Sequence, residues 1–158
     1  MRWEKLFLFL QSLLIGYFLL IELISVFPWN DLDRAGGVSI ARTLFIVAPL
    51  IVALLAVLGR NLVFMVVGAF FQILWFAVQL GTIWFPYFLG ANKDVKSRAA
   101  VLYERTYKFL PPVQDHPIPD AANVVLFSLT IIAIGSLIFS IFEKIIDDRR
   151  SAYLKIPS

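Results

Sequence analysis

One short segment of the chain carries its only histidine between two carboxylates. Asp115, His116 and Asp120 lie in residues 109–120, which hold four of the eight prolines. Side chains of these types exchange protons or bind metals, so they form a candidate titratable cluster. The competing interpretation is a stiff connection, here called the proline strap, in which Asp120 or Asn123 caps the next helix. Because a single histidine without cysteine provides few metal ligands, we predict no metal and no catalytic residue.

A second set of polar side chains lies within or beside long apolar runs. Ionisable and amide groups are costly in hydrocarbon, so each needs a partner or a function. We expect five of them to form one polar layer: Glu22, Arg42, Gln72, Gln79 and Thr130. In the structural interpretation, Glu22 pairs with Arg42 or is protonated, and the amides bond between helices. In the functional interpretation, Glu22 lines a site for a small ligand, a lipid or an ion.

Both glutamines of this layer belong to one stripe of a helix. Gly68, Gln72, Trp75 and Gln79 recur at spacings of four, three and four residues, which places them on a single helical face. We expect this stripe to face the neighbouring helices.

The composition excludes several kinds of chemistry. With no cysteine, the chain has no disulfide, thiolate nucleophile or cysteine-ligated metal. Gly36-Gly37 lacks the residues that flank a phosphate-binding loop, and no serine elbow is present. A formal charge of +3 is too small and dispersed for binding nucleic acid. We therefore predict no cofactor and no nucleic-acid partner, and we favour a protein without enzymatic activity.

The elements that must position these residues are membrane-spanning helices. Of the 158 residues, 60% are apolar and 16% are charged, whereas soluble domains are about one-quarter charged. A helix needs about 20 apolar residues to cross a bilayer. Four runs meet this requirement, at about residues 6–27, 40–58, 62–85 and 124–142. We predict an all-α fold, a single integral membrane domain of residues 1–158 whose four spans form a bundle.

The second span has the shortest uncharged run, residues 43–58, and contains Pro49. We expect a kink there rather than a break, because neighbouring helices can satisfy the freed carbonyl. The alternative is a helical hairpin that re-enters the membrane. Gly59-Arg60-Asn61 predicts a tight turn into the third span. The first span is too long and too bulky at its end for a cleaved secretory signal.

Four spans place both termini on one side of the membrane, with an external loop at residues 86–123 and a cytoplasmic tail at residues 143–158. Lys and Arg are equally numerous on the two sides. Arg105 and Lys108 lie far from a span end and carry less weight in the positive-inside rule. We therefore expect cytoplasmic termini in a multi-pass protein of the cell membrane.

The external loop begins with a pattern typical of an amphipathic helix over residues 92–110. Its apolar face is formed by Val95, Ala99, Leu102, Thr106 and Phe109. Asn92 can cap its start and Pro111 stops it. A short basic helix between two spans is typical of an element lying in the bilayer interface. The alternative is a docking surface for a partner or an anionic headgroup.

A group of aromatic and proline motifs lies between the third and fourth spans. It consists of Trp84-Phe85-Pro86-Tyr87-Phe88-Leu89-Gly90, Tyr103, Phe109-Leu110-Pro111-Pro112 and Pro117-Ile118-Pro119-Asp120. Over about residues 84–128 this pattern resembles one in small uncharacterised bacterial membrane proteins with four spans. The resemblance implies a bacterial inner membrane, and no activity or functional residue comes with it.

Three classes of function follow. We favour a non-enzymatic membrane protein that binds membrane lipids or a protein partner, as a subunit or accessory factor. The first alternative is a small transporter or channel that uses the polar layer around Glu22, and four spans would require it to form a homo-oligomer. The second alternative is an interfacial enzyme that uses Asp115, His116 and Asp120.

Overall fold

The computed structural model describes residues 2–33 and 37–153, and its long apolar runs are helical. The helices are α1 (Arg2–Leu23), α2 (Ile40–Leu58), α3 (Leu62–Gln79), α4 (Phe85–Leu89), α5 (Lys93–Tyr103) and α6 (Ala121–Tyr153). No strand occurs within the described ranges. Four helical segments are long and apolar enough to cross a membrane: Arg2–Leu23, Ile40–Leu58, Leu62–Leu89 and Ala121–Ser151. The all-helical class and four helices of membrane-spanning length and composition are confirmed.

The first helix ends at Leu23, earlier than the predicted boundary at residue 27. The Asn30 side chain donates to the carbonyls of Ile21 and Ile24 at 2.6 and 2.9 Å. The same side chain accepts from Val26 N at 2.6 Å. Asn30 thus satisfies backbone groups that the end of a helix leaves unpaired, and the chain turns before the apolar run is exhausted.

The second helix and the turn after it match the prediction. The helix continues through Pro49 from Ile40 to Leu58, so the proline does not break it. Arg60 adopts a φ of 51° in the following turn. Asn61 Oδ1 accepts from Val63 N and Phe64 N at 3.0 and 3.3 Å, which caps the start of α3.

The third span extends beyond the predicted residue 85. A π-helical turn, Leu80–Trp84, follows α3, and α4 continues the helix to Leu89. Pro86 cannot donate a hydrogen bond to the carbonyl four residues earlier. The wider turn just before it, in which Phe85 N donates to Leu80 O, accommodates this loss. Gly90, with a φ of 91°, ends the helix.

The last helix is longer at both ends than the predicted span of residues 124–142. It begins at Ala121 and continues to Tyr153. Its C-terminal part contains no glycine or proline to stop it, and Lys144 pairs with Asp148 at 2.6 Å, one turn apart. Most of the predicted tail of residues 143–158 is therefore helical, and residues 154–158 lie outside the described part of the chain.

The long helices pack in pairs: α1 contacts α2 and α6, and α3 contacts the same two helices. Apolar clusters fill the space between them, one around Leu14, Phe18, Leu50 and Trp75. The first residues of α1 contact the opposite end of the chain, since Arg2 N donates to Glu143 at 3.1 Å. The α2–α3 turn, the start of α1 and the C-terminal part of α6 thus lie at one end of the helices. The connecting segments that carry α5 and the proline strap lie at the other, here called the loop end.

The loop helix is shorter than predicted. Asn92 caps it as expected, accepting from Val95 N at 2.9 Å, but α5 ends at Tyr103 rather than Leu110. Beyond it, Tyr107 N donates to Pro28 O at 2.7 Å, and Tyr107 O accepts from Ala121 N at 2.8 Å. These backbone bonds to other parts of the chain replace the next helical turn. Thr106 and Phe109 therefore lie outside the helix.

Candidate functional site

The pairing of Glu22 with Arg42 joins the last turn of α1 to the first turn of α2. Arg42 Nη2 lies 3.2 Å from Glu22 Oε2, as the structural interpretation expects. The Glu22 side chain remains 25% exposed and the Arg42 side chain 46% exposed. The pair therefore lies at the loop end of the helices and not among their buried side chains.

A second contact joins α3 to α6 at greater depth. Gln79 Nε2 donates to Thr130 Oγ1 at 2.9 Å, and the Thr130 hydroxyl donates to Leu126 O at 2.8 Å. Gln79 and Thr130 are both buried. This contact is an interhelical hydrogen bond of the kind expected for a buried amide.

Gln72 belongs to a third contact, with a residue that the sequence analysis missed. Gln11 Nε2 donates both to Gln72 Oε1 and to Leu50 O at 2.9 Å, linking α1, α2 and α3. Both glutamines are 0% exposed. Gln11 Oε1 and Gln72 Nε2 have no hydrogen-bond partner in the described structure. The signal for Gln11 was present, because it is the amide within the first apolar run.

The five side chains of the predicted polar layer do not meet as one hydrogen-bonded group. Glu22, Arg42, Gln72, Gln79 and Thr130 divide into separate contacts at different depths. Gln72 and Gln79 are about 10 Å apart along α3, because a helix rises about 1.5 Å per residue. The predicted stripe is confirmed, since all four of its residues, Gly68, Gln72, Trp75 and Gln79, are buried.

The three groups of the loop cluster also have separate partners. Asp115 pairs with Lys96 at 2.8 Å. His116 Nδ1 lies 2.8 Å from Tyr87 O. Asp120 Oδ1 accepts from Asn123 N at 2.9 Å and caps α6, as the strap interpretation predicts. Across residues 2–33 and 37–153, no three carboxylate or imidazole side chains are grouped so that they could hold a metal ion.

The electrostatic environments of these groups differ as well. The Lys96 ammonium lowers the pKa of Asp115 through their hydrogen bond. Burial raises the pKa of Asp120, although hydrogen bonds from Asn123 act in the opposite direction. Burial also raises the pKa of Tyr103 to about 12, with a smaller contribution from Asp120. The pKa values of Asp115 and Asp120 are therefore set by separate surroundings, whereas Asp120 acts on the neighbouring Tyr103.

Three cavities surround α5 at the loop end. The basic cavity, about 420 Å³, is lined by Lys96, Lys108, Tyr103, Asp115 and His116 among others. The apolar cavity, about 330 Å³, is lined mainly by apolar groups of the third span, α5 and the strap, with Arg98 at its wall. The acidic cavity, about 350 Å³, is lined by Glu22, Asp31, Arg42, Tyr103, Asp120 and Asn123.

Tyr103 connects these cavities, because its side chain lines all three. Its hydroxyl accepts from Asn123 Nδ2 at 3.5 Å, which ties the end of α5 to the start of α6. Ala99 and Pro117 line both the basic and the apolar cavity. The basic and apolar cavities therefore meet at the buried face of α5.

Tyr87 anchors the proline strap against the third span. Its hydroxyl donates to Pro111 O at 2.9 Å, and its own carbonyl contacts His116. Tyr87 is buried and lies beside Trp84. The aromatic end of the third span thus holds the strap, and Asp115, His116 and Pro117 of the strap line the basic cavity.

No family model, curated protein or solved structure matches this chain.

Proposed function

We propose that the chain is a non-enzymatic membrane protein that binds a membrane lipid at the loop end, as a subunit or accessory factor. The observation that carries this proposal is that the basic and apolar cavities lie next to each other and share Ala99, Tyr103 and Pro117 as lining residues. A lipid has an acyl chain and a polar headgroup, which need adjoining apolar and polar surfaces. The two cavities supply such surfaces on the two sides of α5.

In this proposal the four long helices form a transmembrane bundle. Large apolar side chains cover their outer surfaces, as lipid contact requires; examples are Phe9, Phe45, Val63, Phe70 and Phe139. The distribution of Lys and Arg near the helix ends supports cytoplasmic termini and an external loop end. The motif resemblance favours a bacterial inner membrane.

The two faces of α5 support a position in the bilayer interface. Ala99 is buried and Val95 and Leu102 are half-buried against the rest of the protein. Val101 and Arg98 line a shallow outer cavity, so that face has an apolar and a basic group available to lipid. A helix with this composition suits the headgroup level of a membrane.

The test is native mass spectrometry of the protein extracted from membranes in mild detergent. Gly81 lines the apolar cavity, and a Cβ added there meets no atom within 4 Å. Gly81→Leu should therefore fill the cavity without disturbing the helix, and we expect it to reduce bound lipid at least severalfold. Gly16→Leu is the matched control, since a Cβ at Gly16 also meets open space but lies on α1. Equal lipid retention by both variants, or none by the unmodified protein, would contradict the proposal.

A second candidate is a small oligomeric transporter or channel. The position of the Glu22–Arg42 pair at the wall of the acidic cavity favours it, because Asp120 and Asn123 line the same space. In proteoliposomes with a pH-sensitive dye, Glu22→Gln should then abolish potential-driven proton flux while leaving the helical content and lipid retention unchanged. A protein that conducts no protons, or a Glu22→Gln variant that still does, would argue against proton transport through Glu22.

A further inference from the structure

We infer that the basic cavity binds the phosphate of an anionic lipid headgroup through Lys96 and Lys108. When no lipid is bound, Asp115 pairs with Lys96 and so competes with the phosphate for this lysine. This inference rests on the proposed function and specifies the class of lipid.

The lining of the basic cavity carries an excess of positive charge. Lys96 comes from α5 and Lys108 from the segment after it, so two lysines line the same space from different parts of the chain. Asp115 is the one carboxylate among the described lining residues. Lysine binds phosphate as a flexible point charge, and two lysines suit a headgroup with more than one orientation.

The His116 ring is a wall of this cavity and not a phosphate donor in its neutral form. Its Nδ1 lies 2.8 Å from Tyr87 O, and a carbonyl only accepts, so Nδ1 carries the proton. Nε2 is then an acceptor and lies close to Gly90, where an added Cβ would be 3.0 Å from it. Recognition of an anion therefore rests on the two lysines.

Asp115 is suited to be displaced. Its side chain is 95% exposed, and its carboxylate is held 2.8 Å from Lys96 Nζ. Ion pairs at such exposed positions contribute little net stability. A lipid phosphate can replace this carboxylate as the partner of Lys96. The displaced Asp115 carboxylate is then solvated by water, so no unpaired charge is buried.

A lipid suits the site better than a free phosphate ion. The basic and apolar cavities are neighbours that share Ala99, Tyr103 and Pro117 as lining residues, and the apolar cavity is also lined by Ile83 and Pro86 of the third span. A headgroup held by the lysines therefore has an apolar surface beside it for the acyl chain. A free phosphate would leave that surface unused.

The experiment measures binding of dioctanoyl phosphatidylglycerol, dioctanoyl phosphatidylcholine and glycerol 3-phosphate to the purified full chain in detergent. We compare Asp115→Asn with Asp94→Asn, which removes the same charge from an exposed position of α5 outside the cavity. We compare Lys96→Gln with Lys93→Gln for the same reason. Thermal unfolding of each variant checks that its fold is retained.

We expect Asp115→Asn to bind phosphatidylglycerol about two- to fivefold more tightly, because breaking an exposed ion pair costs a free energy equivalent to an affinity change of this size. Lys96→Gln should bind the lipid more weakly. Both control variants should bind within about twofold of the unmodified protein. Equal affinities for Asp115→Asn and Asp94→Asn would overturn the competitor role. If phosphatidylcholine bound as tightly as phosphatidylglycerol, the recognition of an anionic headgroup would be overturned, although lipid binding would still hold. If glycerol 3-phosphate bound as tightly as phosphatidylglycerol, the site would belong to a soluble ligand and the inference would be overturned. If neither lipid binds, the proposed function fails together with this inference.

Discussion

At the scale of single residues, buried amide side chains form hydrogen bonds between helices. Gln11 and Gln72 are fully buried, and one hydrogen bond of 2.9 Å joins their side chains. In an apolar interior, an amide that loses its partner has few replacements. The two residues should therefore be coupled energetically.

A double-mutant cycle tests this coupling. Gln11→Leu and Gln72→Leu should each destabilise the protein by about 1–3 kcal/mol, because each leaves the other amide less satisfied. The double variant should lose less than the sum of the two, since both polar groups are removed together. Thermal unfolding in detergent measures all four proteins. Strict additivity would show that the hydrogen bond contributes nothing.

Asp120 has two opposing roles, as the cap of α6 and as a buried carboxylate. Burial raises its pKa in the folded protein, so folding favours the protonated form. Its stability contribution is therefore fully present below the ordinary aspartate pKa of about 3.9 and is lost as pH rises through the raised folded value.

Asp120→Asn should remove this pH dependence while keeping the cap, because asparagine caps a helix about as well as aspartate. We expect the variant to be at least as stable as the unmodified protein at pH 7. As pH falls towards about 4, the unmodified protein should gain stability relative to the variant. Melting temperatures of the two proteins across this range provide the measurement. A difference that stays constant with pH would contradict the assignment of burial as the cause.

At the scale of elements, the close approach of α2 and α3 depends on Gly68. A Cβ added there would lie 3.0 Å from both Ala53 Cα and Ala56 Cβ. Small residues at helix contacts allow backbones to approach where lipid provides no hydrophobic driving force.

Gly68→Ala should therefore push the two helices apart and destabilise the protein by about 1–3 kcal/mol, as overpacking does. Gly16→Ala is the control, since a Cβ there meets nothing within 4 Å and alanine favours the helix by up to about 1 kcal/mol. Detergent denaturation compares the two. If Gly68→Ala proved as stable as Gly16→Ala, the stability of the protein would not depend on a glycine at the contact between α2 and α3.

The boundary of α5 leads to a further expectation at this scale. Leu102 is half-buried on the helix, whereas Phe109 lies beyond it and is 51% exposed. Leu102→Ser should therefore accelerate hydrogen exchange of the backbone amides of residues 96–103, because burying a large apolar side chain contributes about 1.5–3 kcal/mol. Phe109→Ser should leave their exchange unchanged. Equal acceleration by both variants would show that Phe109 helps to hold α5 in place, as the longer predicted helix implied.

At the scale of the whole molecule, the contacts between helix ends define two ends of the protein. Arg2 contacts Glu143 at one end, and Glu22 contacts Arg42 at the other. Which end faces the cytoplasm depends on the membrane, and the positive-inside rule favours the end that carries Arg2.

Single cysteines in this cysteine-free chain can test the orientation. With an impermeant maleimide on intact cells, we expect labelling of Lys93→Cys at the loop end and none of Ser151→Cys. Both should react with the same reagent after the membrane is opened, which shows that each position is accessible. Labelling of Ser151→Cys alone on intact cells would reverse the proposed topology and place α5 on the cytoplasmic side.

The sequence by itself determined the features that depend on neighbouring residues. Apolar runs of about 20 residues predict membrane-spanning helices, since a helix satisfies its own backbone groups in lipid. Asn61 and Asn92 begin α3 and α5 because a side-chain cap acts within one turn. The stripe that includes Gln72 and Gln79 could also be assigned to a buried face, since helical periodicity is local.

Only the tertiary structure decided which polar groups meet and where two of the helices end. Asn30 ends α1 although the apolar run continues beyond that helix. The hydrogen bond between Tyr107 and Pro28 draws the chain away from α5 although the amphipathic pattern continues to Leu110. Gln72 meets Gln11, and Asp115 is held by Lys96 apart from Asp120. Hydrogen-bond partners and cavities depend on the depth and rotation of one helix relative to another, which neither the spacing nor the type of residues specifies.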